Sequence, residues 1–252
     1  MNPNGLEGRV AVITGAGRGL GKAMACALAA EGVRVALLAR SEEELTRTAA
    51  EITAAGGQAA VFPTDVTSEE QVRRAQAGVL ARFGAVNILI NNAGLNIRRH
   101  VTELSLDEWR AVLDTNVTSA YLMCHYFVPH MKGKGYGRVL NVASTMAWIS
   151  LPGRTAYSGS KSALLGFTRS LALELAPERI TVNTISPGLF ETELARPITE
   201  NPELRAQFLA QIPLDRPGNP EELGALAVYL CSGLAAYITG TDILIDGGWT
   251  AR

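Results

Sequence analysis

Seven short runs rich in β-branched residues, at 9–14, 33–39, 59–63, 86–91, 137–143, 180–185 and 242–245, alternate with longer stretches of helical period. That alternation leaves little freedom. Parallel strands cannot be joined by a tight turn, so each helix serves as a right-handed crossover and the strands are covered on both faces. Helices are expected over 19–31, 42–55, 68–83, 106–130 (as one helix or two), 156–176, 202–211 and 220–231. Gly56-Gly57 ends the second, and Ser68 with Gln71 three residues on reads as a capping box opening the third. The expected architecture is α/β: a single Rossmann-type domain over 1–252, with a doubly wound parallel sheet of about seven strands and helices on both faces.

Bulk properties narrow the function classes. A chain of 252 residues with 47% hydrophobic content buries a large core, and a net charge of −1 without a basic stripe excludes nucleic acid as the expected partner. Cys26, Cys124 and Cys231 are odd in number and widely spaced, which reads as buried thiols in a reducing compartment and assigns no metal site. The segment Met1 to Gly8 lacks the basic-then-apolar order of a signal peptide. Residues 224–240 carry no charge, but they fall short of the ~20 apolar residues of a membrane span and are interrupted by Ser232-Gly233. A cytoplasmic protein without membrane contact is expected.

Between the first strand and first helix lies Thr14-Gly15-Ala16-Gly17-Arg18-Gly19-Leu20-Gly21. An open parallel sheet receives a dinucleotide pyrophosphate at such a place, against backbone N–H groups and a helix N-terminus. The spacing is T-G-x-x-x-G-x-G and not G-x-G-x-x-G, which would require glycine where Leu20, Lys22 or Met24 stands. Elsewhere such a turn is only punctuation, and its position after the first strand favours phosphate.

Far along the chain, Tyr157 and Lys161 stand four residues apart in a helical stretch, which puts phenol and ammonium on one face, and Ser144 lies one loop upstream. A neighbouring cation favours phenolate, so the Tyr157 pKa is expected to fall from ~10. Tyr157 is then a usable general acid/base, and the Ser144 hydroxyl is free to hold a substrate oxygen.

With these motifs in place the chain resembles the short-chain dehydrogenase/reductase family along nearly its whole length. The resemblance rests on the Thr14–Gly21 turn, Asp65-Val66, Asn91-Asn92-Ala93-Gly94, Asn116 in Asp114-Thr115-Asn116-Val117, Ser144 with Tyr157 and Lys161, Pro187-Gly188 with Thr192, and Asp246-Gly247-Gly248. It implies hydride transfer between a nicotinamide and a carbinol or carbonyl carbon, with Tyr157 moving the proton, Ser144 bonding the substrate oxygen and Lys161 holding the nicotinamide ribose. Asn116 is implied to hold a water that carries protons from Lys161 to solvent. The implied cofactor contacts are Gly15, Arg18, Gly19, Leu20, Arg40, Asp65, Val66, Asn92, Ala93, Gly94, Tyr157, Lys161, Pro187, Gly188, Phe190 and Thr192. Asn91 either belongs to that wall or caps a strand, and Pro187-Gly188 either meets the cofactor or turns the chain.

At the end of the second strand the sequence reads Leu38-Ala39-Arg40-Ser41, with alanine where an acidic partner for a ribose 2′-hydroxyl would stand. Arg40 and Arg18 converging on a 2′-phosphate make NADP(H) the expected cofactor and NAD(H) the alternative; otherwise both are solvated, with Glu42 or Glu43 pairing with Arg40. Arg98 and Arg99 follow the Asn-Ala-Gly turn, and are either a clamp for a substrate carboxylate or two exposed loop arginines. Residues 95–99 and 187–194 resemble gluconate 5-dehydrogenase-type members, so a sugar acid such as gluconate or 5-ketogluconate is the expected substrate. Substrate contacts are expected from Arg98, Ser144, Trp148 and Tyr157, with His100 and Arg154 as further pocket candidates. Similar motifs occur in 3-oxoacyl-[acyl-carrier-protein] reductases, which leaves that activity as the alternative. A non-catalytic NADP-binding sensor and a methyltransferase on a similar sheet are the remaining readings. Residues 190–215 are expected to form a substrate lid, in which Phe208, Leu209 and Ile212 line the pocket or pack on the body. A homotetramer or homodimer is implied by the family, through residues 106–130 and 156–176 and the last strand.

Overall fold

The computed structural model describes residues 4–196 and 200–251, without the side chain of Leu194. Met1–Pro3, part of the expected lid (197–199) and Arg252 lie outside the described residues. Seven parallel strands, β1 (Val10–Thr14), β2 (Arg34–Ala39), β3 (Gln58–Pro63), β4 (Ile88–Asn91), β5 (Gly137–Val142), β6 (Ile180–Pro187) and β7 (Asp242–Ile245), lie side by side in the order β3-β2-β1-β4-β5-β6-β7. Between them run α1 (Gly19–Ala30), α2 (Glu42–Ala54), α3 (Glu69–Phe83), α4 (Leu106–Leu113), α5 (Ser119–Phe127), α6 (Thr155–Leu175), α7 (Pro202–Leu209) and α8 (Pro220–Cys231).

Strand alternation sorts the core into two faces. On β1, Ala11 and Ile13 join Leu28, Leu45, Ile52 and Leu230 beneath α1, α2 and α8, while Val10 and Val12 join Val79, Phe127 and Leu175 beneath α3, α5 and α6. Each such side chain contributes roughly 1.5–3 kcal/mol by leaving water, which is why the uninterrupted apolar runs become central strands. Among the described residues no helix is long and apolar enough to cross a membrane.

One open expectation is decided and two are revised. The 106–130 stretch is broken by a π-helical turn, Asp114–Thr118, between α4 and α5, and ends in a 3₁₀ turn at Val128–His130, where Pro129 lacks a backbone donor. The box at Ser68 is only half formed: Ser68 accepts from the Gln71 backbone, but the Gln71 side chain turns to the Asp65 N–H at 2.9 Å. Complete boxes form instead at Ser105/Glu108 and Asn219/Glu222. The last strand pairing reaches further than the β-branched run, because Ser186 and Pro187 still register against Leu244 and Ile245.

Helices α1 and α8 meet closely at Gly224, where an added Cβ would stand 3.0 Å from Ala27 Cβ and 3.1 Å from the Ala23 carbonyl. Gly224→Leu should push the pair apart and cost about 1–3 kcal/mol in urea denaturation, whereas unchanged stability would show that the contact yields freely.

Candidate active site

Where β1 and β4 lie adjacent but their crossovers leave to opposite sides, the carboxyl ends of the strands open a crevice. It forms a cavity of about 850 Å³ that extends from the Gly15–Leu20 turn to Tyr157 and Phe208. The turn and helix are built for an anion. Helix α1 has no side-chain cap at Arg18, so its first N–H groups face the cavity, and a Cβ at Gly21 would meet the Gly15 carbonyl at 2.3 Å. The Thr14 hydroxyl accepts from the Asn92 and Ala93 backbones at 2.9 and 3.0 Å, and the Asn92 amide donates to the Thr14 carbonyl at 2.9 Å. β1 and β4 are thereby stitched at the point where they part, and the turn keeps the shape a pyrophosphate would fill.

Every residue expected to touch the cofactor lines this cavity: the glycine turn with Arg18 and Leu20, Arg40, Asp65, Val66, Asn92–Gly94, Pro187, Gly188, Phe190 and Thr192, besides Tyr157 and Lys161. Phe190 is also buried, in the core beneath α1 and α8, and its backbone bridges Gly218. The two arginines are differently placed. Arg18 is engaged by Glu44 at 3.3 Å and Glu193 at 3.4 Å, so its convergence with Arg40 on one phosphate is not preformed. Among the described residues Arg40 forms no ion pair with Glu42 or Glu43. Burial alone would raise the Asp65 carboxyl; the Thr67 backbone and hydroxyl and the Arg40 charge together hold it below its ordinary value.

At the other end, β5 runs into Ser144, which is extended and buried and whose hydroxyl accepts from the Met146 backbone at 3.2 Å. Tyr157 and Lys161 lie in the first two turns of α6. Lys161, only 3% exposed, donates to the Val142 carbonyl at 2.7 Å and stands 5.8 Å from the Tyr157 ring centroid. The expected fall in the Tyr157 pKa is not found. Burial raises the phenol, with the Ser144 hydroxyl and the Arg154 charge pulling part of the way back, and Lys161 is itself pushed down to about 8 by burial. Depth, and not the four-residue spacing, sets the direction of the Tyr157 shift.

Other candidates divide sharply. Asn116 sits in the π turn behind the wall and donates to the Leu95 carbonyl and Ser160 hydroxyl, both at 2.9 Å, and accepts from the Leu95 N–H at 2.7 Å. Its amide N–H groups are therefore taken by protein, and the side chain ties the Gly94–Leu95 segment to α6. Trp148 does not line the cavity. It is 57% exposed and donates to Asp242 at the start of β7, 2.5 Å away. His100 is exposed outside the cavity, and Arg99 pairs with Glu108 at 2.7 Å. Arg98 lines the cavity, as does Arg154. Sequence reasoning missed Thr14 as a stitch and Trp249 as wall, the latter stacking edge-on to Phe208 at 5.7 Å; nothing in local spacing marks that contact.

Fold and site define the class: an oxidoreductase of the doubly wound, dinucleotide-binding type, with Ser144, Tyr157 and Lys161 brought together in the crevice wall. The family model described as enoyl-(acyl carrier protein) reductase matches residues 15–250. The 3-oxoacyl-[acyl-carrier-protein] reductase FabG of Aquifex aeolicus is 36% identical over 244 residues, covering 96% of this chain and 98% of its own. The 3β-hydroxysteroid dehydrogenase 1 of Eggerthella lenta is 37% identical over 247 residues, covering 97% and 95%. A candidate NAD(P)-dependent gluconate 5-dehydrogenase from Beutenbergia cavernae, solved with NADP at low occupancy, superposes with a TM-score of 0.94 at 35% identity, over 99% of this chain and 100% of that one. The chain belongs to the short-chain dehydrogenase/reductase family, oxidoreductases that act on CH–OH groups with NAD(P). These relatives differ in named substrate, so substrate must be argued from the cavity.

The sunken lysine has a consequence for stability. Its pKa in the folded chain, about 8, lies below the ordinary 10.5, so the folded state binds fewer protons between those values and gains stability as pH rises through that window. Below pH 8 the cost of burying the charge is felt in full. Urea denaturation of the cofactor-free protein should show Lys161→Met at its greatest advantage over wild type near pH 7, with the gap moving toward wild type by pH 10. A gap that does not move with pH contradicts the burial argument.

Proposed function

We propose that the protein interconverts a secondary alcohol and a ketone on a small hydroxy acid of the gluconate/5-ketogluconate kind, with NADP(H) as preferred cofactor. The observation that supports an acid substrate most is Arg98, a cavity-lining cation with no ion-pair partner among the described residues, whereas its neighbour Arg99 is spent on Glu108. Arg98 is exposed as well as cavity-lining, and a carboxylate entering the cavity would match its guanidinium fork.

In this reading the substrate oxygen lies between the Ser144 hydroxyl and the Tyr157 phenol. The raised phenol is protonated at neutral pH and donates to the oxygen during ketone reduction; in the reverse direction the phenolate accepts that proton. Lys161, anchored on β5, faces the nicotinamide ribose, and Asn116 holds the adjoining Gly94–Leu95 segment. A nicotinamide bound in the crevice supplies or accepts the hydride at the reacting carbon. Ala39 in place of an acidic residue, with the exposed Arg40 beside it, supports NADP(H) over NAD(H). The segment 190–215 serves as the substrate cover within a single domain; Phe208 lines the cavity and Ile212 is buried against the body, so pocket and packing roles coexist there. Exposed Leu106 on α4 and Tyr121 on α5 support self-association as a homotetramer or homodimer.

The test is a spectrophotometric screen of gluconate, other sugar acids, neutral sugars and acetoacetyl thioesters with both cofactors. Turnover of a sugar acid supports the reading; turnover of the thioester alone replaces it with the 3-oxoacyl reductase activity, and NADPH binding without any turnover leaves a sensor. Tyr157→Phe should lower kcat by about 10²–10⁴-fold while NADPH still binds, and near-normal turnover would remove Tyr157 from the proton transfer. Arg40→Ala should weaken NADPH by about ten- to hundredfold and leave NADH nearly unchanged, measured by nucleotide fluorescence. Equal loss of both would assign Arg40 another role.

A further inference from the structure

Arg154 is the most conspicuous charge in the cavity that the family set leaves unused. It precedes α6 by one residue and Tyr157 by three, is only 9% exposed, and lines the cavity. Other tethered arginines of the chain have partners, although Arg138, held by carbonyls and a ring, has no carboxylate either among the described residues and leaves its Nε unpaired there. Arg138 donates to the Gly137 and Ser232 carbonyls and lies over the Tyr136 ring, Arg99 pairs with Glu108, and Arg216 with Glu222. Arg154 forms no ion pair among the described residues. Burying most of an arginine without a counter-charge is costly, and the cavity that Arg154 lines is the side from which an anion would reach it.

A second cation stands close by. The backbone N–H of Arg99 donates to the Gly153 carbonyl at 3.1 Å, so the loop after β4 is fastened to the loop before α6 at the residues next to Arg98 and Arg154. Both side chains line the same cavity, and each chain position is one residue from that bond. The acidic side chains that line the cavity, Glu44, Asp65 and Glu193, stand with the Gly15–Leu20 turn and Arg40, and Asp114 is engaged by Thr118. Burial first, and the nearby Arg98 charge second, push Arg154 below its ordinary pKa, with Tyr157 pulling part of the way back.

We infer that Arg98 and Arg154 form a two-guanidinium clamp for the substrate carboxylate at the Tyr157 end of the cavity, and that Arg154 is a specificity-determining residue for acids over neutral carbonyls. The inference rests on the hydroxy-acid reading and deepens it. Two forks converging on one carboxylate satisfy both oxygens and set the carboxylate's distance from the reacting carbon. An acyl thioester gains nothing from this arrangement, because it is neutral around its carbonyl and carries its phosphate at the far end of the pantetheine arm.

Calorimetric titration of the NADP⁺-loaded enzyme with gluconate and with gluconamide, its uncharged amide, tests the clamp alongside steady-state kinetics on both. Arg154→Met should weaken gluconate binding and raise its KM by about ten- to hundredfold, with a much smaller change in kcat, and leave gluconamide nearly unaffected. Arg154→Lys should recover part of the loss, and it carries the same acid-against-amide comparison if the methionine variant does not fold. Gluconate bound equally by wild type and variants, or gluconate and gluconamide weakened alike, overturns the clamp and leaves the hydroxy-acid reading standing. Wild-type enzyme that binds no carboxylate when loaded with NADP⁺, but reduces acetoacetyl thioesters when supplied with NADPH, overturns both.

Discussion

The site depends on the seating of α6 against the end of β5. One amine, Lys161, is driven into the protein and fastened to the last carbonyl of the strand, and the residues around it are arranged to keep it there. Deeper along the same helix, Thr168 bonds Asn141 of β5 and Thr184 of β6, each at 2.8 Å, and Asn141 accepts from Asn91 of β4 at 2.8 Å. A polar chain of this kind inside an apolar core is unfavourable unless its members find one another, so it admits one register of helix on sheet and penalises the neighbours. Once α6 is in register, Tyr157 faces the cavity and Ser144 stands at the strand end opposite it. Asn91, which the sequence left between a wall position and a cap, belongs to this chain and not to the cavity wall.

The near wall is held from the side by Asn116. Its amide reaches both Leu95 and Ser160, which links the loop after β4 to α6 across the π turn. The extra residue in that turn re-aims Asn116 within an otherwise regular helical stretch. Loop, helix and strand end thus form one rigid corner. The candidate catalytic groups are placed in part by residues such as Asn116 and Thr168 that do not line the cavity.

The alternation of apolar runs made the sheet legible, because a strand buried on both faces has no polar face to confuse the reading. Element ends were legible where turn chemistry was local, as at Gly56-Gly57 after α2, and less so where a side chain had two partners to choose from, as Gln71 did. The ordered motifs located the cavity wall almost residue by residue. What spacing could not convey was depth. Tyr157 and Lys161 share a helix face as expected, but their electrostatics are set by how far that face is buried, which is a property of the whole fold. The same limit separates Arg98 from Arg99 and sends Trp148 outward to Asp242, since a loop residue's direction depends on which non-local partner captures it.

The strand order carries a kinetic consequence. The stitches between Thr14 and Asn92 join residues 78 apart in sequence, and none of the parallel pairings can close as a local hairpin. The crevice therefore comes into being only when the slow, long-range part of folding is complete, since β1 and β4 must be side by side before a pyrophosphate site exists between them. A dinucleotide that spans this junction recognises the finished chain and no earlier state. Its abundance then weighs on how much of the protein is folded, with saturation a hundredfold above Kd contributing about 2.7 kcal/mol. A cell rich in the nucleotide would hold this enzyme folded as well as loaded.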